Sequence, residues 1–158
     1  MKTTKRRQFL MGAGAVMAVP FVSTGARVER IKVGQIGLAH AHSRGKLGAI
    51  RALPELYELV GVVEPDAGRR ESVKGVKYVS EEELLGTKGL QVVAVETHVR
   101  DLVSTAARVV ATGRHIHLDK PAGPSLGAFK KLVAEARRRK LIIQMGYMLR
   151  YNPAFQFM

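Results

Sequence analysis

The chain has 158 residues, no cysteine, 26 Lys and Arg against 13 Asp and Glu, and a formal net charge of +13. The missing thiols exclude a disulfide framework, a thiolate metal centre and a lipid-modified cysteine. The charge invites a nucleic-acid reading, but the basic residues are scattered and no aromatic side chains are interleaved to stack on bases. Solvated surface is the better account, and no nucleic-acid partner is expected.

Residues 1–26 stand apart. Lys2, Lys5, Arg6 and Arg7 precede a weakly apolar run at 11–22 that contains Gly12, Gly14 and Pro20, and Thr24-Gly25-Ala26 offers a small-residue cleavage site. The run falls short of the roughly 20 apolar residues that cross a bilayer. Arg6-Arg7-Gln8-Phe9-Leu10 resembles the twin-arginine export signal R-R-x-F-L, with Lys5 where Ser or Thr is usual. That route carries proteins already folded, which suits a domain that takes up a nucleotide before crossing. The expectation is an exported, periplasmic protein with no stable membrane anchor after cleavage. Setting the segment aside leaves 132 residues, enough for one domain with its own core, and lowers the charge to +9.

The rest alternates short apolar runs with helical patterns. The run at 31–37 predicts a buried strand entering a tight turn, Gly37-Leu38-Ala39-His40-Ala41-His42. A strand, a glycine turn and a helix N-terminus form a seat for a pyrophosphate, because the first helical N–H groups are unpaired and the dipole end is positive. Gly37 fills the first place of G-x-G-x-x-G, while Ala39 and His42 replace the second and third glycines. Gly37, Ala39 and His40 are therefore candidate cofactor contacts. His40 and His42 either meet the phosphate or face solvent. Ser43 is expected to cap a helix carrying Leu47 and Ile50 that stops before Pro54.

The next run, 59–63, ends at Glu64, about 20 residues past the turn, where an acid can bind a ribose hydroxyl. Its charge would repel a 2′-phosphate, so NAD is favoured over NADP. A short polar helix and a weaker apolar run at 76–79 follow. Ser80 and Glu83 then spell a capping box ahead of Leu84 and Leu85. A strand at 91–95 leads to Thr97, and Leu102, Val103, Ala106, Val109 and Val110 line a helix face ended by Gly113. In the strand at 116–118 and its flank, His115 and His117 face one side. With no third ligand evident, packing or a strand-end hydrogen bond outweighs a metal pair, and no metal is expected. Ser125 caps a further helix with Leu126, Phe129, Leu132, Val133 and Ala136 on its stripe, and the basic run at 137–140 marks its end. A strand at 141–145 closes the pattern. Strand–helix alternation throughout predicts an α/β doubly wound parallel sheet of the Rossmann type.

Four motifs in order carry a family resemblance: the glycine turn, Thr97 after the fourth strand, Asp119-Lys120-Pro121 preceded by ATGRHIHL, and Gly146-Tyr-Met-Leu-Arg150-Tyr-Asn-Pro153. The chain resembles the N-terminal half of the Gfo/Idh/MocA oxidoreductases, whose members carry E-K-P and G-x-x-x-R-[FY]-x-P at these places. The resemblance implies an NAD(P)-binding domain over 27–150, with 151–158 starting a linker to a C-terminal substrate domain not contained in this chain. It implies hydride transfer to or from a sugar, polyol or related carbohydrate, with Lys120 moving the proton, and a homo-oligomer when complete. It also places Thr97, Asp119, Lys120 and Arg150 among the cofactor contacts. Asp119 is one methylene shorter than the family's Glu, and Thr97-His98-Val99-Arg100 departs from its T-P-N-x-x-H segment. These departures support a second expectation, a binding module of the same fold without chemistry, or a fragment inactive by itself.

Export is expected to depend on the arginine pair. Replacing Arg6 and Arg7 with Lys should hold a fused reporter in the cytoplasm, and undiminished export would show that the segment serves another route.

Overall fold

A computed structural model describes residues 29–157; the expected twin-arginine signal at 1–26 lies outside the described residues. Five parallel strands form one sheet: β1 (Ile31–Ile36), β2 (Tyr57–Val63), β3 (Val92–Val95), β4 (His115–Leu118) and β5 (Ile143–Met145), in the order β2-β1-β3-β4-β5. Helices α1 (Ser43–Ala52), α2 (Ala67–Glu71), α3 (Glu81–Gly86), α4 (Leu102–Ala111), α5 (Leu126–Arg138) and α6 (Pro153–Gln156) connect and follow them. The Rossmann-type α/β class expected from the alternation is the class observed.

The larger core joins Ile36, Val93, Val95, Ile116 and Leu118 of the sheet to Leu84 of α3, the Leu102 to Val110 face of α4, and Leu132 and Ala136 of α5. Leu38, Leu47, Val62 and Val73 form a smaller core with α1. Because side chains alternate along a strand, the register Gln35–Ala94–His117–Gln144 runs a mostly polar row across the sheet on the face away from Val93 and Ile116. This row lies beside the functional edge.

Two helix ends follow their sequence signals. Ser80 and Glu83 close the capping box of α3, and the Ser125 hydroxyl accepts from Ala128 N–H at the start of α5. Gly113 takes the left-handed backbone, φ 79°, just past α4. Three expectations are corrected. Ser43 does not cap α1; it is the first helical residue, and its hydroxyl donates to the Leu38 carbonyl, leaving His42 at the cap with no side-chain bond. Leu126 leaves the α5 stripe, being 68% exposed. The run at 76–79 gives one bridge, Val62 to Tyr78, on the outer side of β2. Gly75, with φ 72°, and the Ser80 cap bound the segment on either side.

Leu84 explains how α3 reaches the sheet. A Cβ on Gly34 would lie 2.7 Å from its Cδ1, and one on Gly61 would lie 3.5 Å from the same atom. Leu84 fills the groove that these two glycines leave, and is fully buried. Leu84→Ala should therefore cost about 2–5 kcal/mol in urea unfolding, as for other buried Leu truncations. A loss near the 0.5 kcal/mol or so of a surface change would contradict this packing.

Candidate functional site

The strand order places β2 on one side of β1 and β3 on the other, so successive connections leave in opposite directions. Such a switch point opens a crevice beyond the carboxyl ends of the strands, where open α/β sheets bind ligands. Here it is a cleft of about 380 Å³, lined among others by Gly37, Ala39, Glu64, Arg69, Thr97 and Arg108.

Gly37 shapes the cleft. Its φ is +94°, and a Cβ there would meet the Glu96 carbonyl oxygen at 2.7 Å and Thr97 N at 2.8 Å. The turn is stitched to both neighbouring strands: Gly37 N–H donates to the Val63 carbonyl at 2.8 Å and His40 N–H to the Glu96 carbonyl at 3.0 Å. Glu64 closes the opposite wall, only 2% exposed. One carboxylate oxygen accepts from Leu38 N–H at 2.7 Å, and the other from Asp66 N–H at 2.9 Å. Arg69 Nη1 lies 3.5 Å from the second oxygen, and its Nη2 is 3.2 Å from His98 Nε2. Across the cleft, Arg108 holds Glu81 through two bonds of 2.7 and 2.9 Å.

Lys120 follows β4, exposed, with its backbone gripped at both ends. Its N–H donates to Asp119 Oδ1 at 2.7 Å, and its carbonyl lies 2.9 Å from His40 Nε2. His42 N–H donates to His40 Nδ1 at 3.3 Å, so Nε2 carries the ring proton and gives it to Lys120. Asp119 is 1% exposed and sits 3.2 Å from His42 Nδ1 through either oxygen. Burial works against its charge, but the Lys120 N–H and the two histidines hold the Asp119 carboxyl below the usual carboxylate range.

Of the residues expected at the cofactor, the structure brings Gly37, Ala39, Glu64 and Thr97 together on the cleft. His40 and Asp119 lie outside that lining, turned toward each other beneath the loop. Lys120 stands beyond it at the same sheet edge. Arg150 lines a separate cavity beside β5, with Ile142 and Tyr147. His115 and His117 make hydrogen bonds: His115 Nδ1 accepts from Ile142 N–H, and His117 Nε2 meets Lys46 Nζ at 3.0 Å. Burial, with Lys46 adding to it, pushes His117 down to about 4.

The pattern-based reading missed Glu96. It follows β3 directly and is fully buried, and neither carboxylate oxygen has a hydrogen-bond partner among the described residues. Burial, reinforced by the Asp119 charge and opposed by Lys46, pushes it up to about 8. The signal was present in the sequence: β2, β3 and β4 each run straight into an acid, Glu64, Glu96 and Asp119. Arg69, His98 and Arg108 of the cleft carry no comparable signal.

A family model described as an oxidoreductase family with an NAD-binding Rossmann fold matches residues 31–147. The chain belongs to the Gfo/Idh/MocA oxidoreductase family. It is 28% identical over 133 residues to the rhizopine catabolism protein MocA of Rhizobium meliloti, covering 80% of this chain and 40% of that protein. It is 27% identical over 134 residues to the scyllo-inositol 2-dehydrogenase (NAD(+)) of Bacillus subtilis, covering 82% and 37%. This family chain thus spans about two fifths of those relatives. Among solved structures, KijD10, a 3-ketoreductase from Actinomadura kijaniata in complex with TDP-benzene and NADP, superposes with a TM-score of 0.71 at 25% identity, covering 81% of this chain and 42% of that one. The WlbA dehydrogenase from Bordetella pertussis, in complex with NADH and UDP-GlcNAcA, gives 0.71 at 19% identity, covering 81% and 40%, a likeness of fold.

Two glycine substitutions should act in opposite directions on stability. Gly37→Ala meets both a left-handed backbone and the Glu96 carbonyl, and should destabilise by about 1–3 kcal/mol while weakening NAD binding. Gly48→Ala in α1 meets nothing within 4 Å and should stabilise by about 0.5–1 kcal/mol. Denaturant unfolding of both variants checks this; a neutral Gly37→Ala would contradict the close approach.

Proposed function

We propose that this chain is the dinucleotide-binding part of an exported NAD(P)-dependent oxidoreductase that acts on a sugar, polyol or related carbohydrate. The observation that carries the reading is the cleft at the β1/β3 switch point, with Gly37 on its floor and Glu64 at its wall. When bound, the nicotinamide supplies or accepts hydride. The chain's own part is to seat the dinucleotide and to hold Lys120 at the same edge. The turn at Gly37 leads into the N-terminus of α1, which has no side-chain cap and no acid in its first turn, a setting that favours a pyrophosphate.

Glu64 is positioned to receive a ribose hydroxyl from the cleft side, its geometry fixed by Leu38 and Asp66. NAD is the preferred form. The guanidinium groups on the lining are already engaged, Arg69 with Glu64 and Arg108 with Glu81, so a 2′-phosphate would compete with existing ion pairs. Both cofactor forms occur among those relatives, NADH with WlbA and NADP with KijD10, and they act on or hold inositol or nucleotide-linked ligands. They support a hydroxylated, sugar-like substrate for the protein of which this chain is a part. The relatives' greater length supports a C-terminal substrate domain.

Lys120 is the proton-moving group. Its backbone is fixed by Asp119 and His40 while its side chain stays exposed at the end of β4, so its ammonium can reach a substrate oxygen above the sheet edge. In the longer protein, Lys120→Ala should cut turnover by about 10²–10⁴, the usual contribution of a positioned acid or base, with little change in cofactor affinity. Turnover within a factor of two or so of wild type would remove the catalytic role and leave the binding-module reading. Titration of the same protein should show NAD binding more tightly than NADP; the reverse order would overturn the reading of Glu64 and Arg69.

A further inference from the structure

Beneath the β1–α1 turn, the side chains of His40, His42, Glu96 and Asp119 converge. His42 Nδ1 lies 3.2 Å from Asp119 Oδ2, and His40 Nδ1 lies 3.6 Å from the same oxygen. One ligand atom from each of these three residues falls within 4.8 Å of the others. His40 Nδ1 is also 3.6 Å from Glu96 Oε2, on a fully buried carboxylate with no hydrogen-bond partner among the described residues. We propose that His40, His42 and Asp119 ligate a divalent transition-metal cation of the Zn²⁺ class, with the Glu96 carboxylate facing the site and balancing its charge.

Three arguments support the site. The first is spacing: ligands about 2.0–2.2 Å from a tetrahedral Zn²⁺ stand roughly 3.3–3.6 Å from one another, and the two histidines lie 3.2 and 3.6 Å from Asp119 Oδ2. The second is orientation. A metal-binding imidazole usually gives its other N–H to a carbonyl or carboxylate, and His40 Nε2 lies 2.9 Å from the Lys120 carbonyl; a cation at Nδ1 would take the lone pair that accepts from His42 N–H. The third is charge. Two neutral imidazoles and two carboxylates bring −2 to a divalent cation, so the loaded cluster is neutral. Before binding, Glu96 packs against the Asp119 carboxyl group and His40; with a cation it faces an opposite charge. On binding, any proton on the two carboxyl groups leaves to solvent, and His42 stays neutral by moving its ring proton from Nδ1 to Nε2, which frees the Nδ1 lone pair for the cation.

The N and O donors exclude a soft-metal preference, and with no cysteine in the chain there is no thiolate to compete. The same Asp119 and His40 hold the N–H and C=O of Lys120, so the cation would lock the backbone of that lysine. The site is argued from its own geometry and stands independently of dinucleotide binding.

The test uses the tag-free full chain, stripped with chelator and titrated with Zn²⁺ by calorimetry and with Co²⁺ by visible absorption. The expected result is one cation per chain, tetrahedral Co²⁺ bands, and a higher melting temperature with Zn²⁺. His42→Ala and Asp119→Asn should weaken binding by at least about 100-fold, and Glu96→Gln by about 10–100-fold, the range for groups that support a ligand shell. His115→Gln, outside the cluster, should leave it unchanged. Should a variant fail to fold, long-range ¹H–¹⁵N spectra of the wild type decide: Zn²⁺ should move the Nδ1 resonances of His40 and His42 and no other histidine. No stoichiometric binding by the folded wild type, unchanged affinity in folded His42→Ala, or shifts confined to other histidines would each overturn the site.

Discussion

The close approach of Gly37 to the Glu96 carbonyl governs this half of the molecule. With φ at +94° and no room for a Cβ, the chain leaving β1 can cross directly over the end of β3. That crossing brings His40 N–H onto Glu96, Leu38 N–H onto Glu64, and α1 over the smaller core. The cleft, its acidic wall and the buried cluster under the loop all follow from one residue without a side chain.

Three strands, β2, β3 and β4, end in acids, and the sheet edge gives each a different set of partners. Glu64 is anchored by two backbone N–H groups and flanked by Arg69. Asp119 gains the Lys120 N–H and two imidazoles, and its carboxyl is held low. Glu96 meets no backbone N–H among the described residues, only His40 Nδ1 at 3.6 Å and the Asp119 carboxyl group. Desolvation wins there, and its proton affinity rises to about 8. Each of the three directly follows its strand; the groups set opposite it decide the outcome. Asp119, one methylene shorter than the family's Glu, is drawn back toward His42 and away from the cleft.

Strands and most helices were legible because they rest on local patterns: apolar runs of three to seven residues, the Ser80–Glu83 box, the Ser125 cap and Gly113. Ser43 was misread as a cap because its nearest partner is a carbonyl five residues back, which its hydroxyl donates to, and not a helical N–H. In the site, Gly37, Ala39 and Glu64 could be placed on one cleft from the glycine turn and the strand-end acid, and Thr97 from the family resemblance. His40, Asp119, Glu96 and Lys46 could not, since their contacts span up to 80 residues and depend on how β1, β3 and β4 are registered. A sequence shows that a strand ends in an acid, but not which donors the fold will set opposite it.

The measurement that most directly addresses the central claim is an NMR titration of the isotopically labelled full chain with NAD. Binding at the switch point should shift the amides of Gly37, Leu38, Ala39, Asp66, Thr97 and His98, leaving those around Ile142 and Gln144 at the β5 edge unmoved. Shifts concentrated at the β5 edge, or none from a folded chain at saturating NAD, would contradict the account.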